Sequence, residues 1–216
     1  MNVFTKARQT TSTPKKRAVQ KEETRKRILE IAREHFERDG FEGASVRGIA
    51  AEAGVAAGTV LLHFTDKRDL LHAALFDDLA ALIEDETARP PTEPLHPALV
   101  GLAGRFFAYY GARPALSRTL LAESLLAESP WRERFTGQVA RVHAYIAALA
   151  TEAKRRGELA PDADPALLGV TFFSFYYFTL IGWVQGALSD PAPLFERLLA
   201  EHLRQKQTLS PKRRRR

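Results

Sequence analysis

From Thr24 onward the apolar residues recur three and four positions apart, and no stretch alternates apolar with polar as a half-buried strand does. That period restricts the chain to helices packed on helices. Ile28, Ile31, Ala32 and Phe36 share one face of a first helix. Gly40 ends it in a position suited to a left-handed cap, with Phe41 placed to fold back on the last turn. Ser45 stands as N-cap before a second stripe, Val46, Ile49, Ala50 and Ala53, which Gly54 closes. A short third helix is expected from about Ala57 to His63. Asp66 caps a fourth, with Asp69 three residues on in a capping-box-like arrangement. The apolar face of that helix, Leu71, Ala74, Leu75, Leu79, Leu82 and Ile83, carries it towards residue 86.

The run Arg89-Pro90-Pro91-Thr92-Glu93-Pro94 cannot continue a helix, because proline removes a donor and biases its predecessor to extended backbone. A domain junction is expected there. Further helices follow near 96–111, 114–128 and 131–156, the last ending on Lys154, Arg155 and Arg156, where cations suit the dipole, and on Gly157. Asp164-Pro165 and Asp190-Pro191 are matching starts, an N-cap followed by proline in the first helical position. They open helices of about 165–187 and 191–206. The first of these lies in 23 residues without a charge, Ala166 to Leu188. Such length would allow a membrane span. Thr171, Ser174, Thr179, Gln185 and three glycines interrupt it, and a helix apolar all round is equally a core or interface element, which is the reading preferred.

The net charge of +6 is unevenly held. Residues 1–27 carry nine Lys/Arg and two Glu, residues 204–216 seven Lys/Arg and no acid, and the stretch between them 16 basic and 24 acidic residues. Basic ends on an acidic body fit a polyanion partner, although such runs are often only solvated. With no cysteine, disulfides, thiolate metal sites and cysteine nucleophiles are excluded. The N-terminus has no hydrophobic core of a secretory signal, so a cytoplasmic protein is expected.

Ser45 to Phe64 is the informative unit: a helix of about eight residues, a tight turn centred on Gly54, and a second short helix. Its inward positions, Val46, Ile49, Ala50, Val55 and Val60, are small or aliphatic. Small residues let two helices cross closely, so that the second can protrude into a major groove. In this setting the stretch Thr24–Leu71 resembles the DNA-binding domain of the TetR family of regulators. It carries Arg27-Ile28-Leu29, Phe36, Asp39-Gly40-Phe41, Ser45-Val46-Arg47, Ile49-Ala50, Ala53-Gly54-Val55, Gly58-Thr59, His63-Phe64, Asp66-Lys67 and Leu70-Leu71 in the family's order and spacing. Gly157 to Pro165 also resembles the loop that many members carry before their penultimate helix.

The resemblance implies an all-α, TetR-like fold of about nine helices. A helix-turn-helix domain at 24–86 would follow a basic disordered arm at 1–23, and a ligand-binding and dimerisation domain at 87–207 would precede a basic tail at 208–216. It further implies a homodimer made by helices 165–187 and 191–206, repression by occluding a palindromic operator in double-stranded DNA, and release by a small-molecule effector acting through helix four. An inducer must then bind the form that cannot hold DNA better than the form that can. By the same resemblance Ser45 would bond a phosphate as well as cap its helix, and Arg47, beside Val46, would reach backbone or a base edge. Gly58, next to Ala57, would let the backbone approach DNA, with Thr59 facing the groove. His63 and Lys67 would contact phosphates. The chain departs from the family in having Ala56-Ala57 where Ser-Lys is frequent, and Leu61-Leu62 where aromatic residues are frequent. Leu61 and Leu62 either touch thymine methyl groups or pack inward. The lost charge could be supplied by Lys15, Lys16, Arg17, Lys21, Arg25, Lys26 and Arg27.

Of the six histidines, none forms a metal-binding pair four residues apart on a helix, and none stands beside a nucleophile motif. There is no phosphate-binding glycine loop or dinucleotide fingerprint, so no enzyme, metal or cofactor is expected. Candidate effector contacts are the aromatic or polar groups on second-domain helices: Phe106, Phe107, Tyr110, Glu123, Trp131, Phe135, His143, Tyr145, Phe173 and Tyr177. Ordinary core or dimer packing accounts for most such residues. As a set they would suit a hydrophobic, aromatic or cationic molecule. The competing reading is a protein that binds nucleic acid or an anionic surface without sequence preference, through its basic ends.

Overall fold

The helical period is realised as nine helices and no strand among the described residues of the computed structural model, which are 14–88, 90, 92–124 and 128–208. They are α1 (Pro14–Gly43), α2 (Val46–Glu52), α3 (Ala57–His63), α4 (Lys67–Thr87), α5 (Leu95–Ala112), α6 (Pro114–Ser124), α7 (Trp131–Arg156), α8 (Pro165–Val184) and α9 (Ala192–Thr208). The chain forms two compact units, one up to Leu71 and one from His72. The division falls inside α4, and the proline-rich segment lies downstream, between α4 and α5.

The helix α1 starts at Pro14, so residues 14–23, expected as part of a disordered arm, are helical. The reason is local. Proline suits the first helical position, and Glu22–Lys26 and Glu23–Arg27 are acid-before-base pairs four residues apart. Thr24 then bonds back along the helix, its Oγ1 donating to the carbonyl of Gln20 at 2.8 Å. Residues 1–13 and the basic tail after Thr208 lie outside the described residues. At Gly40 α1 breaks, with φ at 69°, and Phe41 stacks on Phe36 with ring centres 6.0 Å apart.

In the N-terminal unit α1 packs on α2 and α3. Its core holds Ile28, Phe36, Ile49, Val60, Leu70 and Leu71, each no more than 1% exposed. His35, buried on α1, ties this packing together, its Nε2 lying 2.8 Å from Oε2 of Glu52 at the end of α2. The ring also explains Gly48, where an added Cβ would come within 3.3 Å of His35 Cε1 and 3.1 Å of Ser45 Oγ.

In the second unit α7 and α8 form the most extensive helix pair, and α9 packs on α5 and α8. Leu99, Leu102, Phe172, Leu180, Phe195 and Leu199 make the core. The proline starts form as expected: the N–H of Ala166 donates to Asp164 Oδ1 and that of Ala192 to Asp190 Oδ1, each at 2.9 Å. Helix α8 ends at Val184 rather than near 187. Gly186 has φ at 79°, and the N–H groups of Gly186 and Ala187 turn back to the carbonyls of Trp183 and Gly182, a motif that terminates the helix. Helix α6 is described only to Ser124. Glu128, expected at its end, is not helical, and residues 125–127 lie outside the described residues. The loop 157–164 returns to cap α5, Glu158 Oε2 accepting from the Leu95 N–H at 2.6 Å.

Helix α8 meets the length and composition of a membrane span, with a mean hydropathy of 1.6 over its most apolar window. Only a third of that window is buried within the chain. Leu167, Val170 and Phe178 stand 49%, 51% and 65% exposed, and with Ser174 they follow one helical face.

Candidate nucleic-acid interface and ligand cavity

The candidate interface is built on α2, the turn and α3. Ser45, in extended conformation, accepts the Gly48 N–H on its Oγ at 3.0 Å, which satisfies one orphan donor of α2. At Gly54 the chain turns with φ at 66°, a left-handed conformation that a side chain would strain. Its N–H and that of Val55 bond the carbonyls of Ala51 and Ala50, which closes α2 and starts the approach to α3. Ala56, the N-cap of α3, has no side-chain oxygen, and α3 begins without a side-chain cap.

Helix α3 buries Val60 completely and turns its other face outward. Leu61 is 54% and Leu62 80% exposed, so neither packs inward. A Cβ added at Gly58 would meet nothing within 4 Å, so no neighbour among the described residues requires a glycine there. Thr59, Ala57 and Val46 are half-buried, and Arg47 is exposed.

Two cationic groups from α1 stand near the end of α3. The Arg25 guanidinium lies 5.6 Å from the centre of the Phe64 ring, and Phe64 is the C-cap of α3. His63 has its pKa held below the ordinary value, first by partial burial and then by the positive charges of Lys21 and Arg25. Lys21 and Arg25 therefore place positive charge beside His63 at one end of α3 and favour its neutral ring.

Lys67, expected to contact phosphate, is engaged within the chain. Its Nζ donates to the carbonyls of Phe41 at 2.7 Å and Ala44 at 3.2 Å, with that of Glu42 at 3.4 Å, and it lies 4.4 Å from the centre of the Phe41 ring. An ammonium has three donors, and these carbonyls engage them. The carbonyls left open where α1 breaks draw the lysine inward, so it braces the turn before Ser45. The start of α4 has its own cap: the Asp69 N–H donates to Asp66 Oδ1, and Asp69 Oδ2 accepts from the Thr65 N–H, both at 2.8 Å.

The second unit contains a narrow cleft, partly open to solvent, lined from α4, α5, α7 and α8. Five of the expected effector contacts meet there: Phe106, Tyr110, Phe135, Phe173 and Tyr177. Phe107, Trp131, His143 and Tyr145 do not line it. Phe107 packs into the core against Tyr176 and Phe195, and Trp131 stacks with His72 at 5.2 Å and Phe76 at 5.3 Å. His143 lies behind the wall, stacked on Phe173 at 4.6 Å, and burial lowers its pKa. Tyr145 is half-buried away from the cleft, and the side chain of Glu123 lies outside the described residues.

Sequence reading missed Leu79, Ile83, Gln138, Val139, Val142 and Tyr176. A signal for Gln138 was present, since it falls on the apolar stripe of α7 between Phe135 and Val142, where a polar residue needs a reason. Burial pushes the phenols of Tyr110, Tyr176 and Tyr177 above their ordinary range, with mutual repulsion adding to the effect at Tyr110 and Tyr176, so all three are neutral.

Comparison with known proteins agrees with this geometry. Residues 28–74 match the family model described as "Bacterial regulatory proteins, tetR family". The first unit thus carries the DNA-binding domain that this family model describes. It is 27% identical over 154 residues to the HTH-type transcriptional regulator UidR of Escherichia coli K12, a match that covers 67% of this chain and 73% of UidR. Among solved structures, Salmonella enterica GusR superposes with a TM-score of 0.64 at 25% identity, covering 84% of this chain and 96% of GusR. A putative transcriptional regulator from Saccharomonospora viridis, solved in complex with choline, superposes at 0.67 with 21% identity, covering 85% and 96%. That last likeness is one of fold. The helix-turn-helix lies in the first unit, and the second unit holds the cleft.

Proposed function

We propose that this chain is a repressor that binds a palindromic operator as a homodimer and leaves it when a small molecule occupies the cleft of the second unit. The observation that carries the DNA half is the outward face of α3, where Leu61 and Leu62 stand 54% and 80% exposed and a Cβ at Gly58 would meet nothing within 4 Å among the described residues. Ser45, Arg47 and His63 flank that face as donors for phosphates, and Thr59 and Ala57 border the groove. The basic residues from Lys15 to Arg27 follow the DNA backbone from a helix rather than from a flexible arm.

The partly covered apolar helix α8 supports the dimer. The exposed face of α8 needs a partner, and Phe175 of α8 already meets His202 of α9 edge-on at 6.1 Å, so both helices contribute to one surface. Release acts through α4. Leu79 and Ile83 line the cleft, the Phe76 carbonyl accepts from Gln138 and the Leu75 carbonyl from Tyr109. The same helix begins at Lys67, in the N-terminal unit. A ligand that binds the DNA-incompetent form more tightly shifts the population away from DNA.

Selection of bound sequences from a random duplex pool, followed by binding of the winner at two salt concentrations, tests the proposal. One palindrome strongly preferred over scrambled DNA, bound by two subunits, is the expected result. Equal, steeply salt-dependent binding to any duplex would overturn it in favour of non-specific binding through the basic ends.

A further inference from the structure

Gln138 is 6% exposed and sits in the wall of the cleft. Its Nε2 donates to the Phe76 carbonyl at 2.9 Å, which fixes the amide, since only the nitrogen can face a carbonyl. The other end, Oε1, is buried with no hydrogen-bond partner among the described residues. A buried carbonyl without a donor has lost its water and gained nothing in return, so a group that supplies a donor is bound strongly at that point. The rest of the described lining is aliphatic or aromatic, apart from three neutral phenols, and no described side chain there carries a charge. A charged ligand would shed its hydration without meeting a counter-ion.

We propose that the effector taken by this cleft is an uncharged molecule with an aromatic or aliphatic body and one O–H or N–H group, which it donates to Oε1 of Gln138. This rests on the reading of the chain as a ligand-responsive regulator, and it makes Gln138 the specificity-determining residue of the site. The aromatic walls, with Phe135 and Phe173 among them, hold the body by dispersion and stacking. The orphan acceptor sets its orientation.

The test is calorimetric titration of the full-length protein with isosteric pairs that differ in the donor alone: indole against benzofuran, and phenol against fluorobenzene. Choline and benzoate serve as the charged probes. Indole and phenol are expected to bind at least about tenfold more tightly than their donor-free partners. In Gln138→Met the ratio should collapse to about one, with benzofuran affinity retained. The ratio in the unaltered protein is decisive without any variant. A ratio near one overturns the proposal, as do choline or benzoate binding as tightly as indole, and the absence of saturable binding by indole and phenol. Palindrome binding measured on the same preparation separates the two readings: if it persists while the ratio is one, the donor assignment falls and the regulator stands.

Discussion

Replacing Lys67 by methionine keeps the apolar stem and removes only the ammonium. The structure then loses two hydrogen bonds of ordinary length, to Phe41 and Ala44, a long one to Glu42, and a cation over the Phe41 ring. Hydrogen bonds to charged groups contribute about 1.5–3 kcal/mol each when buried, and Lys67 is only half-buried, so the discounted total is about 2–3 kcal/mol. Urea unfolding at fixed protein concentration should show the midpoint fall with an unchanged slope. The DNA measurement separates bracing from phosphate binding. Removing a phosphate-bound ammonium from each of two subunits would reduce the slope of log K against log salt by about 1.8, whereas removing a brace leaves that slope within about 0.3. An unchanged midpoint together with a slope reduced by about 1.8 would refute the assignment and restore Lys67 as a clamp.

Gly58→Ala should stabilise the chain by about 0.5–1 kcal/mol, because the added Cβ meets nothing within 4 Å and alanine favours helix. The same variant should bind operator at least about tenfold more weakly, and unchanged binding would show that no backbone approaches DNA there. Deoxyuridine in place of the thymines that meet α3 should weaken binding about fourfold per methyl, from about 0.8 kcal/mol for each buried group. That penalty should vanish in Leu61→Ala/Leu62→Ala, and its persistence there would assign the methyl recognition to other residues. Acidification acts on His63 with two signs. Because the fold lowers its pKa, protonation below the ordinary value near 6.5 costs the free protein stability, whereas a nearby phosphate favours the charged ring. Operator affinity should therefore rise as pH falls from about 8 to 6, and His63→Gln should flatten the profile. An equal pH dependence in both proteins would remove His63 from the interface.

The helix starts and stops were legible in the sequence because they are settled within a few residues. Ser45 before Val46, Asp164-Pro165, Asp190-Pro191 and the glycines at 54 and 157 answer to orphan backbone groups one turn away, and each behaves as its local chemistry dictates. The N-terminal extension of α1 was legible in principle too, since Glu22–Lys26 and Glu23–Arg27 are local pairs, but the density of positive charge concealed them. Other assignments depended on residues far apart in the chain. Lys67 finds carbonyls more than twenty positions away, and Glu158 caps α5 across 63 residues. Phe107 and Trp131 share composition and periodicity with Phe135 and Phe173, yet the first two enter packed clusters and the last two line the cleft. Periodicity tells that a side chain leaves the solvent; the packing of several helices decides whether it meets a neighbour or a cavity. Gln138 shows the division most clearly. Its place on an apolar stripe was written in the sequence, but only the carbonyl of Phe76, 62 residues away, determines which end of its amide is left for a ligand.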